Sequence, residues 1–396
     1  MQYEISERMA AMQPSMIREI LKATSNPEVI AFSAGNPAPN AFPIGDIAQI
    51  TADILQEQPV DALQYGVTEG YPLLLEAVRN LCKTRYDISI SENEGLMIIS
   101  GAQQGADLVT KTLINPGDTV LCEDPSFIGC LNCFRSYRAK LVGIEMEEDG
   151  VNLEKLEAEM KKPNVKLFYM IPNFQNPSGI TTSLEKRKAV LALAQKYNVM
   201  ILEDNPYGDL RFHGETIPSI KSMDTEGAVI YMGSFSKIIA PGLRVGYVIA
   251  PKEILAKMVV GKQCADVHTT MLSQMICYRF LATRDLDSHL SRLQGIYRGK
   301  CELMISTMEK EFASGVAHTN PEGGLFLWCT LPEGADMTSF CQKAVERGVA
   351  VVPGIAFLAD PETPCRSFRM NFSTPADEAI VEGVKRLGLL TKEFLR

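Results

Sequence analysis

Five short segments carry residue types and spacings that could do chemistry. In the first, Ser234-Phe235-Ser236-Lys237 is followed seven residues after the lysine by Arg244, within Pro241-Gly242-Leu243-Arg244-Val245-Gly246-Tyr247. A neutral lysine amine condenses with an aldehyde, and burial or nearby cations lower its pKa from about 10.4 far enough to permit it. Ser234, Ser236 and Arg244 are donors suited to a phosphate, the guanidinium as a fixed fork. In the second, Ser100-Gly101-Ala102-Gln103-Gln104-Gly105 would let backbone amides at a helix start approach an anion. In the third, Glu203-Asp204-Asn205-Pro206-Tyr207 offers a carboxylate that would keep a basic ring nitrogen protonated, by about 5 kcal/mol at ~3 Å and an effective dielectric near ~20 before desolvation. The fourth, Pro172-Asn173-Phe174-Gln175-Asn176-Pro177-Ser178-Gly179, is amide-rich turn chemistry. The fifth, Phe368-Arg369-Met370-Asn371-Phe372-Ser373, has an arginine able to grip a carboxylate in bidentate fashion. Taken singly, each has a bland reading: a solvated lysine, an unliganded turn, an N-cap carboxylate, a structural arginine.

The elements needed to position these segments are legible nearby. Short apolar runs at Leu96 to Ser100, Thr119 to Cys122, Leu141 to Ile144, Lys166 to Ile171, Val199 to Leu202, Val229 to Met232 and Val245 to Ile249 read as buried strands. Helical patterns separate them, one from Gln103 to Leu113 and one between Ile171 and Val199. Thr182 and Glu185 match a capping box for the latter, and Leu184, Leu191 and Ala194 fall on one face. The expected fold is α/β, a large domain with a mostly parallel seven-stranded sheet flanked by helices. The chemistry-bearing segments follow strand ends, where such sheets bind ligands. After about Ser291 a long helical stretch precedes short strands at Gly324 to Cys329 and Ser367 to Asn371, which suggests a smaller α+β domain. The division expected is 1–44 as an N-terminal segment over the site, 45–290 as the large domain and 291–396 as the small one.

Taken together and in this order, the segments resemble those of fold-type I, class I/II aminotransferases, enzymes that use pyridoxal 5'-phosphate (PLP). The resemblance runs from about Pro14 to Ser373. It implies that Lys237 bonds PLP as an imine and serves as the catalytic base and acid. It implies that Gly101, Ala102, Gln103, Ser234, Ser236 and Arg244 hold the phosphate, that Asp204 pairs with the pyridine nitrogen, and that Tyr207 and Asn176 bond the ring oxygen. Phe127, in Asp124-Pro125-Ser126-Phe127, takes the place of a ring-stacking tyrosine; stacking needs only a π face. Ala102 stands where many relatives carry a hydroxyl. Arg369, with Asn176 beside it, is implied to hold the substrate carboxylate.

Phe32-Ser33-Ala34-Gly35-Asn36-Pro37 resembles the segment whose glycine, here Gly35, meets the substrate. Gln64-Tyr65-Gly66 resembles the one whose tyrosine, Tyr65, reaches a neighbour's phosphate, so the active unit is expected to be a homodimer. Pro14-Ser15-Met16-Ile17-Arg18 and the FSAGNPAPNAFP stretch are similar to the aminoadipate, kynurenine and aromatic or branched-chain aminotransferases. There Arg18 would meet a distal substrate carboxylate, or be only a solvated helix residue. The implied reaction moves an amino group from an L-amino acid to a 2-oxo acid such as 2-oxoglutarate, through a pyridoxamine stage.

Two other readings share these residues. One is a PLP-dependent carbon–sulfur β-lyase. The other is a regulatory module, against which the short stretch preceding the resemblance and the acidic composition argue. The formal net charge of -9 speaks against a nucleic-acid partner. No stretch of about 20 apolar residues is present, and residues 1–10, with Glu4, Glu7 and Arg8, have no signal-peptide core. A cytoplasmic protein with no membrane partner is therefore expected. Ten cysteines fit reduced, buried thiols better than disulfides. The Cys130/Cys133 pair has no second pair to complete a metal site, so no metal is expected.

Overall fold

The computed structural model describes residues 3–10, 12 and 28–394; Arg18 and its neighbours lie outside them. After the two-residue strand β1 (Ile30–Ala31), a large sheet is built from β2 (Glu94–Ile99), β3 (Thr119–Asp124), β4 (Lys140–Glu147), β5 (Gly150–Val151), β6 (Val165–Met170), β7 (Met200–Asn205), β8 (Val229–Ser234) and β9 (Gly246–Pro251). Their spatial order is β2-β9-β8-β7-β6-β3-β4-β5. The seven expected strands are all present. The two-residue β5, too short to stand out as an apolar run, pairs antiparallel on β4 and makes an eighth. β9 runs antiparallel to both β8 and β2, and the pairs β8–β7, β7–β6, β6–β3 and β3–β4 are parallel.

Alternation along these strands decides which layer each side chain joins. Val120, Cys122, Leu167, Tyr169, Leu202 and Ile230 enter one core. Their neighbours Leu121, Phe168, Met170, Ile201 and Val229 enter the other. With both faces covered, the strands read as near-continuous apolar runs. The helix Ala102–Leu113 begins immediately after β2, as expected.

One helix start differs from the expectation. The helix Leu184–Tyr197 is capped by Ser183, whose side chain accepts from the Lys186 amide at 3.3 Å. Thr182 is instead buried, its amide donating to the Pro172 carbonyl at 2.9 Å, so it belongs to the preceding loop.

The helical stretch expected from about Ser291 starts at Leu286 and runs to Glu311, with Asp285 accepting from the Ser288 amide at 3.0 Å as its cap. A small antiparallel sheet follows. Its strands are β10 (Ala317–His318), β11 (Phe326–Thr330), β13 (Val352–Pro353) and β14 (Ser367–Asn371), in the order β10-β11-β14-β13. β12 (Val349–Ala350) pairs in parallel with β1, which ties the N-terminal segment to this layer. Arg369 sits in β14 opposite Trp328 of β11 and Val352 of β13. No helix among the described residues is long and apolar enough to cross a membrane.

Candidate active site

β2, β3, β6, β7 and β8 all run in one direction, so their carboxyl ends line one edge of the sheet. The segments that follow them meet the N-terminal stretch Ser33–Asn36 and β14 around a cavity of about 460 Å³. Gly35, Ala102, Gln103, Phe127, Asn176, Asp204, Tyr207, Ser234, Ser236, Lys237, Arg244 and Arg369, expected from sequence to share one site, all line it. Gly101 lies beside it under Arg244. Tyr65 does not line it; its side chain is 81 % exposed on this chain's surface, edge-on to His268. A larger cleft, about 890 Å³, is lined by Arg85, Asp209, Arg211 and Asp287 and offers no amine; Arg85 is already paired with both aspartates.

The lysine is placed by the loop that leaves β8. Its Nζ donates to the Gly35 carbonyl at 2.8 Å. Burial, then the charges of Arg369 and Arg244, lower the ammonium from its ordinary 10.5 to about 8, which leaves an appreciable fraction neutral near physiological pH.

Asp204 lies near the end of β7 and is buried. One carboxylate oxygen accepts from the Tyr169 hydroxyl at 2.9 Å. The other, Oδ1, is buried with no partner. Burial raises its pKa from 3.8 to about 7, against the lowering by Tyr169. A buried, half-satisfied carboxylate is costly, and a cationic N–H facing Oδ1 would remove that cost. Tyr207 is buried, edge-on to Phe326 with ring centroids 5.9 Å apart.

The anion end is formed where β2 meets its helix. Gly101 has φ +83, a conformation that favours glycine. A Cβ there would run into the Arg244 guanidinium, closer than side chains approach. No side chain caps the helix Ala102–Leu113, so its first amides are left for an anion. Arg244 bonds the Ser100 carbonyl at 3.1 Å, and Ser234 Oγ accepts from the Ser236 amide at 3.1 Å.

Arg369 is 4 % exposed. Its guanidinium donates to Asn176 Oδ1 at 2.9 Å and to the Ser33 carbonyl at 2.8 Å. It is sandwiched between Phe326 at 4.4 Å and Phe357 at 5.0 Å. Burial lowers its pKa to about 10. Its Nε is buried and unbonded. Sequence reasoning missed Tyr169, Phe326 and Phe357. The only signal for Tyr169 was a hydroxyl on the buried side of a mostly apolar strand, and Phe326 and Phe357 look like ordinary core aromatics.

An amine made less basic, a carboxylate with a free buried oxygen, and an anion cradle that a Cβ would fill fit the aldehyde, ring nitrogen and phosphate of PLP. Fold and site therefore define a fold-type I PLP enzyme. The family model described as aminotransferase class I and II matches residues 27–387. The aromatic-amino-acid aminotransferase 1 of Thermococcus litoralis is 40 % identical over 99 % of this chain and 94 % of its own length. The 2-aminoadipate transaminase of Thermus thermophilus is 37 % identical over 97 % of this chain and 95 % of its own. A crystal structure of the Pyrococcus horikoshii kynurenine aminotransferase, solved with pyridoxamine phosphate, superposes with a TM-score of 0.95 at 36 % identity, covering 99 % of this chain and 98 % of that one. The chain belongs to the class I and II aminotransferases, and it is a PLP-dependent transaminase.

All ten cysteines are free, and Cys130 and Cys133 are buried; Cys264 is exposed. Burial pushes the Cys133 thiol up to about 12 and Cys130 also upward, so both are held as inert thiols. No group of histidine, cysteine or acidic side chains suited to a metal occurs among the described residues.

Proposed function

We propose that the chain transfers the amino group of an aromatic, aminoadipate-like or branched-chain L-amino acid to 2-oxoglutarate, with the residues around the 460 Å³ cavity in the roles read from the sequence. The observation that carries this is Lys237 facing the same cavity as Asp204 and Arg369, with its amine depressed to about 8. When bound, PLP supplies an aldehyde that condenses with amines and a protonated ring that draws electrons from the substrate Cα. Lys237, Ser234, Ser236, Arg244 and the Gly101–Gln103 turn would hold it; Asp204 would keep the ring protonated, with Tyr207 and Asn176 at the ring oxygen and Phe127 against its face.

The chain's own groups then divide the work. Arg369, fixed by Asn176 and by two aromatic faces, grips the substrate carboxylate and so sets which Cα bond is broken. The Lys237 amine takes the Cα proton at Nζ and later gives it up, as general base and then general acid. Phe127, Ile128, Phe326 and Ala34 make the cavity wall substantially apolar, which suits large hydrophobic side chains; the relative named for aromatic amino acids points the same way, and the one named for 2-aminoadipate keeps an acidic donor within the proposal. Gly35 would meet the substrate through its backbone.

A homodimer forms part of the proposal. Ile44, Val60, Leu63, Tyr65 and Val67 leave large apolar side chains exposed within one stretch of chain, as an interface between copies would require. Tyr65 would then serve the partner's anion cradle. Residence in the cytosol is supported by the unpaired cysteines. The chain is divided, as read from sequence, at 44/45 and 290/291.

The test is a panel of amino acids added singly to the PLP-loaded protein without an oxo acid. Conversion of the cofactor to its pyridoxamine form, fastest with aromatic, aminoadipate-like or branched-chain donors, is expected. Release of pyruvate and ammonia with the cofactor unchanged would reject the reading in favour of β-elimination.

A further inference from the structure

Arg187, in the helix Leu184–Tyr197, is fully buried, yet no carboxylate bonds it. A guanidinium has five N–H donors. Here Nε donates to the Thr182 carbonyl at 2.9 Å, and Nη1 to the carbonyls of Pro218 at 2.9 Å and Ile217 at 3.3 Å. Nη2 donates to the Pro172 carbonyl at 2.9 Å and to Asn173 Oδ1 at 2.7 Å. All the donors are therefore spent on loop oxygens that belong to no regular element.

Two of those oxygens open the loop Pro172–Gly179. Asn173 passes the constraint on, its Nδ2 donating to Asn205 Oδ1 at 2.9 Å beside Asp204. The loop is also held from β3, just before its start and at its middle. Glu123 Oε2 accepts from the Ile171 amide and from Gln175 Nε2, each at 3.0 Å, and Gln175 Oε1 accepts from the Ser178 amide at 3.0 Å. Asn176 follows both clamps, inside the turn that Gln175 and Ser178 close, and its Oδ1 is the acceptor that orients Arg369. A charge buried with no carboxylate in contact, balanced only at a distance by Glu203 and Glu123, is expensive; one whose donors all fasten loops next to a binding arginine calls for a use.

We propose that Arg187 is a positioning residue for substrate carboxylate binding, acting through the Pro172–Asn173 anchor to hold Asn176 and thereby Arg369 in register. Lysine cannot replace it: three donors on one atom cannot reach oxygens on the 172–173, 182 and 217–218 segments at once. The inference rests on Arg369 and Asn176 being the carboxylate site.

The experiment uses the PLP-loaded enzyme and two probes, 3-phenylpropanoate, which has the carboxylate and no amine, and 2-phenylethylamine, which has the reverse. Arg187→Lys should weaken 3-phenylpropanoate by about tenfold to a hundredfold, the cost of a displacement near 1 Å in a binding geometry. It should raise KM for the amino acid similarly, with kcat, PLP content, visible spectrum and the slow reaction with 2-phenylethylamine within about threefold of wild type. Asn173→Ser, which removes one acceptor and leaves the other four bonds, should move the same readouts in the same direction by less, and stands in if Arg187→Lys does not fold. Equal losses for both probes, or unchanged carboxylate affinity in a folded variant, would overturn the proposal. Arg369→Gln is the control: if it keeps full 3-phenylpropanoate affinity, the carboxylate site itself is misplaced, and the failure is of that reading rather than of the clamp.

Discussion

Replacing Asp204 by asparagine should lower activity and remove a pH-dependent instability at once. In the protein without cofactor, burial raises Asp204 from 3.8 to about 7. A folded-state pKa above the unfolded one means that the folded state binds more protons. Stability therefore falls as pH rises from about 4 to about 7 and stays low above that. At about 1.36 kcal/mol per pH unit the whole effect is about 4 kcal/mol, of which about 3 kcal/mol falls between pH 5 and pH 8. Asparagine keeps an acceptor for Tyr169, which now bonds Asp204 at 2.9 Å, and carries no charge, so this fall is absent. The cofactor-loaded variant should behave oppositely. Without the carboxylate the ring nitrogen loses a charge partner worth about 5 kcal/mol at ~3 Å and an effective dielectric near ~20, on the order of several thousandfold in rate. Urea denaturation of the cofactor-free proteins at pH 5 and pH 8, with kcat/KM for the best donor, measures both. The variant-minus-wild-type stability should rise by about 3 kcal/mol between the two pH values. A flat difference, or a kcat/KM loss under about tenfold, would refute the reasoning.

Three further outcomes follow from the site geometry. Gly101→Ala must pay for a positive φ, about 1–2 kcal/mol, and displace Arg244; PLP affinity measured by equilibrium dialysis should fall at least about tenfold, and an unchanged affinity would remove Gly101 from the cradle. Phe326→Ala removes one of the two faces stacked on Arg369. Such a contact contributes about 1–2 kcal/mol when desolvated, so 3-phenylpropanoate should bind about five- to thirtyfold more weakly, whereas a change confined to kcat would count against it. The rate of PLP uptake by cofactor-free protein needs the neutral Lys237 amine, which a lowered pKa makes available as pH rises through about 8. A stopped-flow profile should have its midpoint near there, and one near 10.5 would show an ordinary, solvated lysine.

What the sequence made legible was whatever a strand end and its following turn carry together. Lys237, Asp204, Asn176 and the Gly101 turn each lie within a few residues of an apolar run, so chain position alone brought them to one edge of the sheet. Arg369 was legible as a residue type, but what fixes it was not. Phe326 and Phe357 come from separate elements and meet its guanidinium only when β11 and β14 pair and the loop after β13 folds over. Tyr169 is two residues before the end of its run and alternates to the same face as its apolar neighbours, so periodicity filed it with the core. Arg187 falls at helical spacing on the same face as Leu184, Leu191 and Ala194, but the loop oxygens it collects come from segments up to thirty-one residues away. The N-cap moved from Thr182 to Ser183 because the loop claims Thr182, a tertiary demand that a local capping pattern does not contain. Tyr65 is an exposed residue in a single chain, and its expected role depends on a second copy.

The proposed chemistry turns on one amine. Outside the cavity, behind Gln104, lies a buried competitor in kind, Lys262, also lowered by burial but held by both carboxylate oxygens of Asp266 at 2.9 and 3.0 Å and by Gln104 at 2.7 Å. Its donors are occupied, whereas Lys237 has a single bond to the Gly35 carbonyl. Borohydride reduction of the PLP-loaded protein followed by peptide mass spectrometry distinguishes them. The phosphopyridoxyl group should be found on the peptide carrying Lys237, at close to one per chain. Modification at Lys262 or spread over surface lysines, with Lys237 unlabelled, would contradict the central claim.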